Sequence, residues 1–112
     1  MSAPTVLVDA RNVLRSRWPN IPERELVERC RVWADDQGVE ATLVFDGTAP
    51  DGAVGTGAET ADDWIARRAA ELAEEGRPYW LVTSDRELRE RAGTSAERVI
   101  GGGSFVGELG LG

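Results

Sequence analysis

Apolar positions along this chain follow two rhythms. Short continuous runs at Thr5-Val6-Leu7-Val8, residues 39–45 and Tyr79-Trp80-Leu81-Val82-Thr83 have the length and β-branched or aromatic content of buried strands. Between them, apolar residues recur at helical spacing: Leu26, Cys30 and Trp33 in one segment, Ile65, Ala69 and Leu72 in another. Pro22, Glu23 and Glu25 suit the opening turn of the first of these helices, and Gly38 suits its end. Thr60 followed by Asp63 resembles a capping box at the start of the second, with Asp replacing the usual Glu or Gln.

The remaining segments carry weaker signals. Residues 11–21 read as a loop or short turn around Trp18-Pro19-Asn20. Residues 47–57, rich in Gly, Ala and Pro, read as a loop with Ala53-Val54 as a vestigial strand. A short helix after Asp85 turns Leu88 and Ala92 inward. Val99-Ile100 is a last short strand, Gly101-Gly102-Gly103 a turn, and Ser104 the cap of a final helical turn holding Phe105 and Leu109.

Strands alternating with helices imply βαβ units, right-handed crossovers and a mostly parallel sheet with helices on its faces. At 112 residues the chain suits a single domain over residues 1–112.

Three of the strands run into an aspartate: Asp9, Asp46 and Asp85. In an open parallel sheet all strand C-termini share one edge, and ligands bind in the crevice there. Asp62-Asp63 opens a helix at that same edge. Asp62 lies three residues before Ile65, on the face that continues through Ala69 and Leu72, so it is expected to overhang the strand ends. Asp63 lies roughly 100° further round and is expected to support or cap. Each acid also has a plain reading, as a turn residue, a helix cap or a complement to the helix dipole.

Such a cluster is unfavourable without a cation: two carboxylates about 4 Å apart repel by about 4 kcal/mol at an effective dielectric of 20. Either one acid holds a proton or a metal neutralises the group. Oxygen-only ligands suit Mg²⁺ or Mn²⁺, which polarise phosphates and activate water. Asn12 could orient a carboxylate or cap a turn. Ser84 could hold a water or cap the helix from Asp85. Arg11, Arg15 and Arg17 could grip phosphates or simply be solvated, and Trp64 could stack on a base or pack on the helix flank.

Composition narrows the chemistry further. The formal charge is -7, which argues against tight nonspecific binding to duplex DNA. Histidine is absent and all 13 basic residues are arginine. That removes Ser-His-Asp and Cys-His machinery, His-ligated zinc, histidine-driven RNA cleavage, lysine Schiff bases and lysine-dependent phosphate loops. The lone Cys30 cannot form an internal disulfide, no apolar run is long enough to span a bilayer, and the first residues lack a secretory pattern; the expectation is a cytoplasmic protein without membrane contact.

Four motifs, in order, carry a resemblance. Val6-Leu7-Val8-Asp9-Ala10-Arg11-Asn12-Val13 is similar to the hydrophobic-Asp-x-x-Asn opening of NYN domains in the PIN-like nuclease superfamily. Val44-Phe45-Asp46-Gly47 looks like their second acidic strand end. Glu59-Thr60-Ala61-Asp62-Asp63-Trp64-Ile65 and Val82-Thr83-Ser84-Asp85-Arg86-Glu87 resemble the helix start and the "TSD" strand end of the YacP-type bacterial branch. The segment of residues 47–58 is shorter than that branch leads one to expect.

The resemblance implies a three-layer PIN-like, Rossmann-like α/β fold and a metal-dependent endoribonuclease acting on single-stranded RNA. It implies Mg²⁺ or Mn²⁺ held by Asp9, Asp46, Asp62 and Asp85, with Asn12 and Asp63 as secondary members and Arg11, Arg15 and Arg17 toward RNA. The expected setting is ribosome- or tRNA-associated RNA, with room for a protein partner or a homodimer. Products would carry 5′-phosphate and 3′-hydroxyl ends. The alternative is a non-catalytic PIN-like module that binds RNA or protein. A phosphatase of the haloacid dehalogenase type and a phosphotransfer receiver both require a lysine that is missing; the former also wants Asp-x-Asp where Asp9-Ala10-Arg11 stands.

Overall fold

The computed structural model describes residues 3–111. Its elements run β1 (Thr5–Asp9), α1 (Ala10–Arg15), α2 (Glu23–Gln37), β2 (Glu40–Phe45), β3 (Val54–Gly55), α3 (Ala61–Glu74), β4 (Tyr79–Val82), α4 (Arg86–Ala92), β5 (Arg98–Ile100) and α5 (Gly102–Glu108). The five strands form one sheet in the order β3-β2-β1-β4-β5, every pair parallel. The chain builds outward from β1 on one side, then returns to build outward on the other. β1 and β4 therefore flank the point where strand order reverses.

Alternation along the strands sorts the core into two layers. Val6, Val8, Leu43, Phe45 and Val82 pack with Val13, Leu26, Cys30, Trp33 and Phe105, beneath α1, α2 and α5. Leu7, Val44 and Leu81 pack with Ile65, Ala69, Leu72 and Leu88, beneath α3 and α4. β1 is buried along its whole length, as befits a central strand covered on both faces. Cys30 belongs to this core; burial pushes its thiol up to about 12, so it is an inert filler. Among the described residues, no helix is long and apolar enough to cross a membrane.

Three expectations are corrected at helix starts. Residues 10–15 are helical rather than loop: Ala10, Val13 and Leu14 have helical spacing, and Pro19 helps confine the element to six residues. The glycine run is not a turn. Gly101 is the N-cap, Gly102 and Gly103 are already helical, and Ser104 lies inside α5 rather than capping it. Gly102 has a reason to be glycine: a Cβ there would lie 2.5 Å from Ser16 Oγ and 2.6 Å from Asn12 Oδ1. Pro22 is the N-cap of α2 instead of its first helical residue, and Gly38 closes that helix in the left-handed conformation. The Thr60 cap forms as expected, its hydroxyl accepting from Asp63 N. The vestigial strand exists as β3, two residues paired with β2.

Candidate active site

The two-residue period of the sheet decides which acids meet. Leu7, Val44 and Leu81 face α3 and α4, so the residues two further along, Asp9, Asp46 and Thr83, come to that same side at the strand ends. There they meet the N-terminus of α3. Asp46 Oδ1 accepts from Ala61 N at 2.7 Å, fastening the end of β2 to the first residue of that helix. Its other oxygen lies 3.6 Å from Arg11 Nε. Asp46 is thus compensated by a helix N-terminus and a guanidinium.

Asp9 is 5% exposed, the deepest of the acids, and Thr83 Oγ1 donates to its Oδ2 at 3.1 Å. Burial raises its pKa above the ordinary carboxylate value, and the Asp62 charge raises it further. The Thr83 hydroxyl, the Asn12 backbone amide and Arg15 pull the other way. Asp62, half-buried, is also raised, first by burial, then by Asp85; Asp46 and Glu87 add to the push, and Arg91 opposes it. Asp62 has no hydrogen-bond or ion-pair partner among the described residues. Asp62 is therefore the acid on which the negative charges converge: Asp85 and Asp46 raise it, and its own charge in turn raises Asp9.

Asp85 caps α4, its Oδ1 accepting from Leu88 N at 3.0 Å. This answers the choice between ligand and cap only for that one oxygen. Asp63 turns outward and pairs with Arg91 on α4 at 2.9 Å, which holds it below the usual carboxylate range and ties α3 to α4. Asn12 Oδ1 accepts from Ser84 N at 2.9 Å, and Ser84 Oγ accepts from Gly102 N at 2.7 Å. Asn12 and Ser84 thereby lock α1, the end of β4 and the start of α5 together across the strand-order reversal.

The arginines divide. Arg11 and Arg15 flank the acids. Arg17 instead donates from Nε to Leu111 O at 2.8 Å and from a terminal nitrogen to Pro19 O at 2.6 Å, bracing the loop after α1. Trp64 is partly buried and packs against the core layer under α3. Two members of the edge were not among the expected site residues, although Thr83 opens the Thr-Ser-Asp strand-end motif. Thr83 joins two acids, donating to Asp9 and accepting from Asp85 N at 3.1 Å; its place two residues beyond Leu81 on one face is the pattern that could have found it. Arg89 Nε donates to Thr83 O at 2.9 Å from the next helix.

This architecture has a known counterpart. The fold is similar to that of Rae1 (YacP) from Bacillus subtilis. A crystal structure of its tryptophan-to-leucine variant aligns with a TM-score of 0.77 at 20% identity, covering 96% of this chain and 75% of that one. The Rae1 (YacP) structure without that substitution gives 0.70 at 19%, covering 98% and 74%. No family model matches the sequence, and no curated protein matches it. The likeness to YacP is one of fold.

The donor set is carboxylate oxygen, suited to Mg²⁺ or Mn²⁺. Among the described residues, the side chains do not draw three such ligands into one ready-made cage. Mg²⁺ commonly takes only one or two carboxylates and completes its shell with water and substrate phosphate.

Proposed function

We propose that the chain is a divalent-metal-dependent endoribonuclease of the YacP-type NYN, PIN-like class, cutting single-stranded RNA. The observation that carries the reading is the gathering of Asp9, Asp46, Asp62 and Asp85 at the strand-end edge, where Asp62 feels Asp85 and Asp46, Asp9 feels Asp62, and Asp62 has no ion-pair partner among the described residues. A stable fold has only ~5–15 kcal/mol to spend. Acids crowded at a ligand-binding edge are the pattern of a site whose function needs them. The four-motif resemblance suggests the substrate class, and the YacP-like fold is compatible with it.

Asp9 and Asp62 would hold Mg²⁺ or Mn²⁺, with Asp46 and Asp85 at its margin. The ion would supply charge for the phosphate and a more acidic water. The protein's own contribution is positional. Thr83 fixes the Asp9 carboxylate, Asn12 and Ser84 fix the edge on which it sits, and Arg11 and Arg15 present positive charge to a phosphate approaching beside α1. With no histidine or lysine, the route is water attack on phosphorus rather than attack by the 2′-hydroxyl, leaving 5′-phosphate and 3′-hydroxyl ends.

Incubating the pure protein with end-labelled single-stranded RNA and Mn²⁺ tests this. Cleavage by wild type that Asp9→Asn abolishes supports the reading. No cleavage, or equal cleavage by both, overturns it. A protein that binds RNA with no cleavage and no response to Mn²⁺ is instead the non-catalytic module.

A further inference from the structure

Trp18 is 88% exposed, whereas the next most exposed large hydrophobic residue, Val32, is at 54%. Tryptophan has much apolar area to hide, on the order of 150–250 Å² for an aromatic side chain, so an indole left in water is a cost the fold ordinarily avoids. Here the exposure is imposed by a braced loop. Arg17 donates to Pro19 O and to Leu111 O, anchoring the backbone on both sides of Trp18. With its amide nitrogen facing them, Asn20 donates to Leu14 O and Arg17 O, each at 2.9 Å. The loop cannot easily fold the ring inward, so the indole is presented rather than frayed.

The surroundings select the partner. Arg11 and Arg15 line a cleft of about 300 Å³ together with Leu14, Asn20, Ile21 and Glu23, on the loop side of α1. The same Arg11 reaches Asp46, and Arg15 acts on Asp9. Arg11 and Arg15 thus stand between the acidic edge and the loop that carries Trp18, in a cleft whose lining includes Asn20 and Ile21 of that loop. Six residues of helix and a short turn separate Asp9 from Trp18, so the two lie within about 20 Å. Guanidinium groups followed by a face-exposed aromatic are the elements of single-strand recognition: charge for the backbone, a π-surface for a base.

We propose that Trp18 is a base-stacking platform for single-stranded RNA, holding an unpaired base beside the cleft while Arg11 and Arg15 contact the phosphates that lead to the acidic edge. The proposal rests on the ribonuclease reading and gives it a substrate-positioning residue. Stacking on a flat ring accepts any base, so the grip is on unpaired nucleotides rather than on a sequence.

The test measures binding of a fluorescent single-stranded RNA by anisotropy, without divalent metal, for wild type, Trp18→Ala and Trp18→Phe. Cleavage with Mn²⁺ and oligomeric state by light scattering are followed in parallel. The exposed position lets both variants fold, which melting temperature verifies. Trp18→Ala should bind about tenfold or more weakly, and Trp18→Phe should recover most of the loss. Scanning an abasic nucleotide along the RNA should reveal one position where wild type and Trp18→Ala bind alike. If wild type cleaves RNA while Trp18→Ala binds as tightly as wild type, the platform is refuted and the ribonuclease reading stands. If Trp18→Ala changes only the oligomeric state, the loop is a protein contact and the platform is likewise refuted. If wild type neither binds nor cleaves RNA, both fall together.

Discussion

The Thr83 hydroxyl donates to Asp9 Oδ2 at 3.1 Å while accepting from Asp85 N at the same distance, so one side chain couples two strand ends across the reversal of strand order. Thr83 is fully buried. Replacing it with the near-isosteric valine leaves a buried carboxylate and a backbone N–H each short of a partner. Thr83→Val should therefore cost about 1–3 kcal/mol of stability by urea denaturation and should also lower cleavage, because Asp9 is no longer held. Thr83→Ser, which keeps the hydroxyl, should recover much of both. Equal activity of the valine variant and wild type would mean that Asp9 needs no such positioning.

Gly102 is the corresponding constraint on the other face. A Cβ there meets Ser16 Oγ and Asn12 Oδ1 at distances that real contacts do not reach, so both side chains must give way or the backbone must shift. Moving Asn12 breaks its bond to Ser84 N. Gly102→Ala is expected to destabilise by about 1–3 kcal/mol, as overpacking does. Hydrogen exchange should locate the loosening at the end of β4 and the start of α5; uniform protection matching wild type would show that the edge absorbs the methyl group.

Much of this was legible before any coordinates. The runs ending in Asp9, Asp46 and Asp85, and the helix beginning at Thr60, fix a parallel α/β sheet and bring the acids to one edge. What escaped is short or tertiary in origin. The helix of residues 10–15 has barely two apolar turns, too few to outweigh the adjoining Trp18-Pro19-Asn20. Gly101-Gly102-Gly103 looks like a turn because glycine disfavours helix; α5 forms there since Gly102 must pass close to α1 and Ser84 Oγ accepts its N–H. The Asn12–Ser84 bond joins residues far apart in the chain, beyond the reach of local pattern. The outward turn of Asp63 depends on Arg91 of another helix.

Asp62 and Asp63 are adjacent in sequence yet differ in surroundings, which makes them a sharp pair of substitutions. Asp62 faces the other acids and has no partner, whereas Asp63 is spent on an exposed ion pair with Arg91. Asp62→Asn should reduce RNA cleavage by roughly 100-fold or more, the scale of a lost acid–base or ligand group. Asp63→Asn should cleave like wild type, since exposed ion pairs contribute little. Steady-state cleavage of one labelled RNA by the three proteins reads this directly; the reverse ranking would move the site to the outer face of α3.

The raised carboxylates also set a pH signature for the metal-free protein. Asp9 and Asp62 have folded-state pKa values above their unfolded values, so the folded state holds their protons more tightly. Their contribution to stability is fully present below the unfolded pKa and is lost as pH rises through the folded one. Asp62 is only half-buried, so most of the effect belongs to the more deeply buried Asp9. Asp9→Asn keeps an oxygen to accept from Thr83 and carries no charge to bury. It should melt higher than wild type at neutral pH in EDTA, and the difference should shrink as pH falls below the folded pKa of Asp9. Mn²⁺ should then invert the order. Wild type gains stability as the ion binds the native state, and Asp9→Asn gains little. Calorimetric melts of both proteins, with and without Mn²⁺ and across pH, check the crossing; an Asp9→Asn protein that melts lower than wild type in EDTA at neutral pH would show that this carboxylate stabilises the fold on its own and needs no ion.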